Sequence, residues 1–293
     1  MPDTTARFVT RFAPSPTGYI HLGTAYAAIM AHRAARDAGG TFLLRIEDTD
    51  QTRCRPEFED ALYEDLAWLG IAWDGTPRRQ SDHFDEYDAA LQALVSRGLA
   101  YRCFMTRKDI AAAMAKYPER VAEGPDGPAW RGAPLPPETE LALLAEGKPF
   151  AWRLSMDAAQ ATLGARFDTL TFTEQGAGPA GEQGEIRPTP AIFGDPVLAR
   201  KDTGTSYHLA CTHDDALQGI THVVRGADLF AATHLHRLLQ ELMGWPVPLY
   251  RHHGLILDED GRKYSKRDRA LTIRALREAG ETPDSIRRTY LGL

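Results

Sequence analysis

Two short stretches, far apart in the chain, carry residue types suited to handling phosphate. The first, Arg11 to Ala25, reads RFAPSPTGYIHLGTA. His21, Gly23 and Thr24 fall where a helix is expected to begin. The unpaired N–H groups of a helix N-terminus attract phosphate, and glycine lets a ligand lie against bare backbone. His21 can hydrogen-bond a phosphate oxygen as charge builds up on it. The same residues also suit a plain structural role, with His21 capping the helix and Gly23 permitting close packing. With 10 His and 25 Gly in the chain, a His-x-Gly triplet is expected about 0.9 times by chance. The second stretch, Gly254 to Asp268, reads GLILDEDGRKYSKRD. Asp260-Gly261 suits a tight turn, and Lys263, Tyr264, Ser265, Lys266 and Arg267 follow on an expected loop. A charge run is usually a solvated face. A Lys-x-Ser-Lys pattern, however, is expected only about 0.003 times by chance in a chain this poor in lysine and serine. Such a loop can place ammonium groups against a departing pyrophosphate.

These stretches need elements to hold them. Phe8 to Phe12 reads as a strand, Leu22 to Ala38 as a helix ended by Gly39 and Gly40, and Thr41 to Ile46 as a buried strand, which together make a βαβ beginning. Pro56 to Leu69 and Ser81 to Leu99 read as amphipathic helices. From Tyr101 to Ala151 the pattern shifts to a helix at Thr106 to Lys116 and then a loop rich in proline and glycine, the mark of an insertion. Gly176 to Pro190 reads as a long polar surface loop. Alternation resumes from Asp195 to Tyr250, and a helical tail starts near Thr272. The pattern predicts a Rossmann-like doubly wound parallel sheet with an inserted subdomain and a helical C-terminal tail. The expected divisions are residues 1–100 and 191–250 for the two halves of the sheet domain, 101–190 for the insertion, and 251–293 for the lysine loop and tail.

Bulk properties narrow the class. The 293 residues are 43% hydrophobic, enough for one or two ordinary cores. No apolar run approaches the roughly 20 residues that span a bilayer, and the first residues lack a secretory signal, so the expected setting is cytoplasmic, without membrane partners. Cys54, Cys103 and Cys211 fit reduced thiols better than a disulfide framework. The net charge of −6 argues against non-specific affinity for nucleic acid but leaves room for a local basic face.

HLGT and KYSKR, in this order, resemble the two signatures of class I aminoacyl-tRNA synthetases, usually written HIGH and KMSKS. Thr24 replaces the final His of the first, and Tyr264 the usual Met or Leu of the second. RFAPSPTGYIHLGT followed by LLRIEDTD resembles the glutamyl-tRNA synthetase subgroup, and TSYHLA and VVRGADL match downstream. The resemblance implies that ATP, with Mg²⁺, is bound by His21, Gly23, Thr24, Ser265, Lys266 and Arg267. It makes His21, Lys263 and Lys266 the catalytic residues.

Free glutamate has two carboxylates and an ammonium, so its pocket needs forked cations and an anion. Arg11, Arg225 and Glu47 supply these. By resemblance, Arg11 and Tyr207 hold the side-chain carboxylate, Arg225 the α-carboxylate, and Glu47 and Ser15 the α-amino group, with Ala13 also lining the pocket. Arg11 and Arg225 could instead be structural ion-pair members, Tyr207 could be core, and Glu47, Asp48 and Asp50 could form a solvated or metal-binding acidic loop. Cys211 stands where the family often has Asn. The implied reaction is attack of the glutamate α-carboxylate on the α-phosphate of ATP, with no nucleophilic Ser or Cys required, so the three cysteines are expected bystanders.

The sequence ends at Leu293, without the helical anticodon-binding domain that follows in full glutamyl enzymes. This leads to the expectation of a truncated, monomeric paralogue that transfers glutamate to queuosine in the anticodon loop of tRNA(Asp). The alternatives are a related enzyme charging another tRNA, and a non-catalytic RNA-binding paralogue. Arg274, Arg277, Arg287 and Arg288 are candidate RNA contacts or ordinary exposed helix residues. Relatives often hold zinc in the insertion, but Cys103 and Tyr117 make an incomplete ligand set, so zinc is not expected.

Overall fold

The computed structural model describes residues 7–200, 202–256 and 272–293. The chain enters on β1 (Val9–Phe12), rises through α1 (Leu22–Asp37) and returns on β2 (Thr41–Ile46). Gly39, at φ +60°, ends the helix in the left-handed region. Gly40 then passes so close to Phe8 that a Cβ there would lie 2.4 Å from its carbonyl oxygen. α1 buries Leu22, Ala25, Ala28, Ile29, Ala31 and Ala35, and this run of small side chains lets it lie near the sheet. α2 (Pro56–Trp68) starts on a proline, whose missing N–H costs nothing in a first turn, and leads to the short β3 (Arg78–Arg79).

α3 (Phe84–Ser96) leads into the inserted unit. This contains β4 (Ala100–Cys103), α4 (Arg107–Lys116), the hairpin β5 (Val121–Gly124) and β6 (Gly127–Trp130), α5 (Pro137–Ala145), β7 (Ala151–Leu154) and α6 (Met156–Leu163). The stretch expected to be mostly loop after α4 therefore holds a hairpin and a further helix. Next come β8 (Phe172–Glu174) and β9 (Gly184–Ile186), which pair antiparallel. The expected long surface loop thus holds a strand at its far end. Gly184 and Glu185 carry no apolar pattern to announce it. β10 (Val197–Arg200) pairs antiparallel with β7, which pairs with β4, so the inserted sheet draws on a strand beyond residue 190.

The second half of the parallel sheet follows: α7 (Tyr207–Leu217), β11 (His222–Gly226), α8 (Phe230–Met243) and β12 (Leu249–His253). β3, β2 and β1 run parallel in one group, and β11, β12 and β8 in another. The groups meet where Thr221 N–H donates to Val9 O at 2.9 Å. The spatial order 3-2-1-11-12-8 is doubly wound and Rossmann-like, with its switch point between β1 and β11. One core lies between α1, α2 and the first strands, and a second between α3, α7, α8 and the inserted sheet. α9 (Ile273–Glu278) docks on α2, and its start is tied to the start of α1. His21 and Thr272 form an antiparallel bridge, and Ile273 N–H donates to Ile20 O at 2.8 Å. No described helix is long and apolar enough to cross a membrane.

Candidate active site

Ligands of doubly wound sheets bind beyond the carboxyl ends of the strands at the switch point. A cleft of about 420 Å³ lies there, within the range of small-molecule sites. Arg11, Ala13, Ser15, His21, Gly23, Thr24, Glu47, Tyr207 and Arg225 all line it. Lys263, Ser265, Lys266 and Arg267 lie outside the described residues.

At one end is the α1 N-terminus. His21 is the N-cap residue, with its Nδ1 accepting from Thr24 N–H at 3.4 Å, so the proton of the neutral ring is on Nε2, 2.9 Å from Thr24 Oγ1. The capping role weighed from the sequence is therefore present, in a residue that also faces the cleft. A Cβ on Gly23 would stand 3.2 Å from the His21 ring, so glycine leaves that ring its room.

Arg225 occupies the other end, on β11. Its Nε donates to His252 Nε2 at 3.1 Å, Nη1 to the Tyr207 hydroxyl at 3.2 Å, and Nη2 to Thr233 Oγ1 at 2.7 Å. Every one of these partners is neutral. Burial and the Arg225 charge lower His208 to about 4 and hold His236 well below its ordinary range, so both rings stay uncharged at neutral pH. Among the described residues Arg225 makes no ion pair, although it is only 5% exposed. A guanidinium has five N–H donors, and three are used, which leaves one on each terminal nitrogen.

Arg11 differs, because its Nε and Nη2 donate to Asp215 at 2.8 and 3.2 Å. It is thus both an ion-pair member and a cleft residue. Behind it lies a network of buried charges that sequence reasoning missed. Arg45, fully buried, donates from Nη1 to Asp215 at 2.8 Å and from Nη2 to Glu47 at 3.0 Å. Burial alone would raise the Asp215 carboxyl, but Arg11 and Arg45 outweigh it and hold it down at about 2. Burial raises the Glu47 carboxyl against the pull of Arg45 and Arg11. The Tyr207 hydroxyl accepts from Arg225 Nη1 and keeps its own O–H to donate. Cys211, set aside as a bystander, lines the cleft with Sγ 3.7 Å from Arg11 Nη2 and 3.5 Å from Arg45 Nη2. Burial first, then Asp215 and Glu47, push its thiol up to about 12, so it stays protonated and inert.

A second cleft of about 310 Å³ shares Ser15, Glu47 and Tyr207 with the first and extends to Asp50, Arg53, Arg200 and Thr205. One group of potential metal donors occurs among the described residues: Glu86, His213 and Asp214. Arg78 already lies there, donating to Glu86 and, at 3.0 Å, to Asp214, so a guanidinium holds the place of a cation. Cys103 is buried on β4 and Tyr117 is exposed at the end of α4.

The model of tRNA synthetases class I (E and Q), catalytic domain, matches residues 7–292. The Glutamyl-Q tRNA(Asp) synthetase of Rhodobacter capsulatus is 48% identical over 292 residues, covering 96% of this chain and 98% of that protein. The Glutamate--tRNA ligase of Aquifex aeolicus is 40% identical over 281 residues, covering 94% of this chain and 55% of that protein. Among solved structures, a glutamate tRNA ligase from Elizabethkingia meningosepticum in complex with its amino acid superposes with a TM-score of 0.71 at 32% identity, over 89% of this chain and 52% of that one. The chain thus spans nearly all of the Rhodobacter relative and about half the length of the two ligases. A match that runs almost from end to end, around a switch-point cleft lined by both arginines, shows that the chain belongs to the class I tRNA synthetases of the glutamate and glutamine group through their catalytic domain.

Proposed function

We propose that this protein activates L-glutamate with ATP and transfers the glutamyl group to queuosine in the anticodon loop of tRNA(Asp). The observation that carries the glutamate half is Arg225, a buried cation with only neutral partners among the described residues. An unpaired buried charge is costly, and a ligand carboxylate would relieve that cost. Its remaining N–H groups match the two oxygens of an α-carboxylate. Arg11 would reach the side-chain carboxylate, and Glu47 with Ser15 the α-amino group. An oxygen of the α-carboxylate would attack the α-phosphorus of ATP as the bond to pyrophosphate breaks, giving glutamyl-adenylate. The α1 N-terminus, with His21, Gly23 and Thr24, would hold phosphate oxygens, and Lys263, Ser265, Lys266 and Arg267 the leaving pyrophosphate. Mg²⁺ would enter on the triphosphate and neutralise part of its charge.

The acceptor hydroxyl would approach from the second cleft, which shares Ser15, Glu47 and Tyr207 with the first. Queuosine as the acceptor rests on the Rhodobacter relative, a Glutamyl-Q tRNA(Asp) synthetase nearly all of whose length this chain matches. The Aquifex relative supports a second reading, transfer to a tRNA in the manner of a glutamate--tRNA ligase. Two measurements test the proposal. Glutamate-dependent ATP–pyrophosphate exchange without RNA is expected, and its absence would leave a binding module. Charging of tRNA(Asp) that contains queuosine, but not of the same tRNA lacking it or of tRNA(Glu), is expected. Charging of tRNA(Glu) alone would select the second reading.

A further inference from the structure

Arg225 and His252 face each other in register on the parallel strands β11 and β12, and Glu174 lies on the next strand, β8. The Arg225 guanidinium cannot accept a hydrogen bond, so His252 Nε2 is the acceptor at 3.1 Å and the neutral ring carries its proton on Nδ1. That Nδ1 lies 2.6 Å from Glu174 Oε2, to which it donates. The other oxygen, Oε1, accepts from the backbone N–H of His252 at 2.9 Å and of Gly176 at 2.8 Å. The Tyr250 ring lies parallel to His252, at 4°, and Phe230 meets it edge-on, so the imidazole plane is fixed from two sides. Glu174 and His252 are each only 2% exposed. Burial, aided by Arg225 and opposed by Glu174, lowers the basicity of His252 and keeps the ring neutral at pH 7.

We propose that Glu174 and His252 form a positioning relay for Arg225, locking its guanidinium plane so that the two spare N–H groups point as a fork at the incoming carboxylate. The relay rests on the reading of the cleft as a glutamate site. Its logic is electrostatic as well as geometric. A carboxylate touching Arg225 directly would compete with the ligand for the same charge. Glu174 is held one imidazole away, so Arg225 is oriented by a neutral acceptor and keeps its charge for the substrate. Neither relay residue touches substrate. Both act through the orientation of Arg225, and bidentate recognition is lost when that plane turns.

The near-isosteric Glu174→Gln change tests this. The amide oxygen would take over the two backbone N–H groups, so its NH₂ would face Nδ1 of His252. The ring proton would then move to Nε2 and oppose the Arg225 N–H. In pyrophosphate exchange, KM for glutamate is expected to rise about tenfold to a hundredfold, the loss of one hydrogen bond to a charged group, with KM for ATP unmoved. His252→Gln, whose amide oxygen can accept from Arg225 Nε, is expected to stay within about threefold of the parent. Nitrogen-resolved NMR of the unliganded parent protein should show His252 protonated at Nδ1, with the signal assigned by its loss in His252→Gln. A Nε2–H tautomer, an unchanged KM for glutamate in folded Glu174→Gln, or an equal rise in both KM values would overturn the relay. If the parent enzyme shows no glutamate-dependent exchange, the glutamate reading fails, and the tautomer still decides the relay.

Discussion

Replacing Arg225 with lysine keeps the charge and removes the fork. The guanidinium serves His252, Tyr207 and Thr233 and still has an N–H free on each terminal nitrogen. A lysine ammonium is a single nitrogen with three donors, so it cannot hold those partners and both oxygens of a carboxylate together. Losing one of two charge-assisted hydrogen bonds to the ligand costs about 1.5 to 3 kcal/mol, equivalent to a rise in Kd for glutamate of about 10- to 150-fold. Arg225→Gln also removes the charge, so its effect should exceed the upper end of that range. Calorimetric titration with L-glutamate, paired with a thermal melt, separates lost binding from lost folding. In the parent, glutamate at about one hundred times its Kd should stabilise the fold by about 2.7 kcal/mol, and at the same concentration the lysine variant should gain only about 0.3 to 1.4 kcal/mol. A folded Arg225→Lys protein that binds glutamate within about twofold of the parent would refute the reasoning, because a fork that can be dispensed with is not holding the carboxylate.

Other outcomes follow from the same geometry. Gly23→Ala places a methyl 3.2 Å from the His21 ring. Pyrophosphate exchange should fall about tenfold while the melting temperature holds, since alanine is up to about 1 kcal/mol better than glycine in a helix. Asp215→Asn strips two buried arginines of their shared partner and should cost about 3 to 5 kcal/mol in denaturant titrations at neutral pH. Because the Asp215 carboxyl is depressed to about 2, its contribution is complete above about pH 4 and is lost as pH falls through 2, so the variant should lack that part of the acid limb. Asp65 on α2 is the reverse case: fully buried, with neither oxygen hydrogen-bonded among the described residues and Arg277 Nη1 3.8 Å away, it is pushed by burial up to about 6 against the pull of Arg277 and Arg274. Its charged form penalises folding above that pH, so Asp65→Leu should stabilise the protein by about 2 kcal/mol near pH 8, with the gain shrinking toward pH 4 in thermal melts.

Much of the framework was legible in the sequence where local signals agreed with tertiary structure. Strand Thr41–Ile46 was read with its observed limits, because Gly39 and Gly40 punctuate the chain before it and its residues are those of a buried parallel strand. The nine cleft residues read from motif and pocket chemistry among the described positions do meet around one cavity. What stayed hidden depends on long-range partners. Asp214 and Asp215 sit in a helical pattern as solvated residues would, and only the fold shows that Arg11 and Arg45 bury with Asp215 and that Arg78 pairs with Asp214. His252 and Glu174 carry no motif, and the pairing of β8 with β12 alone brings them together. The sheet built from β4, β7 and β10 was missed because its strands are four residues long and widely separated.

The bridge between His21 and Thr272 has a topological consequence. Ile256 lines the cleft, and Thr272 is fastened beside His21, which lines it too, so both are held at one rim. Downstream, Ile273 is seated in the first core, and Arg274 and Arg277 reach Glu64 on α2. A protease nick between these two anchorage points would therefore yield a severed polypeptide whose fragments still elute as one particle.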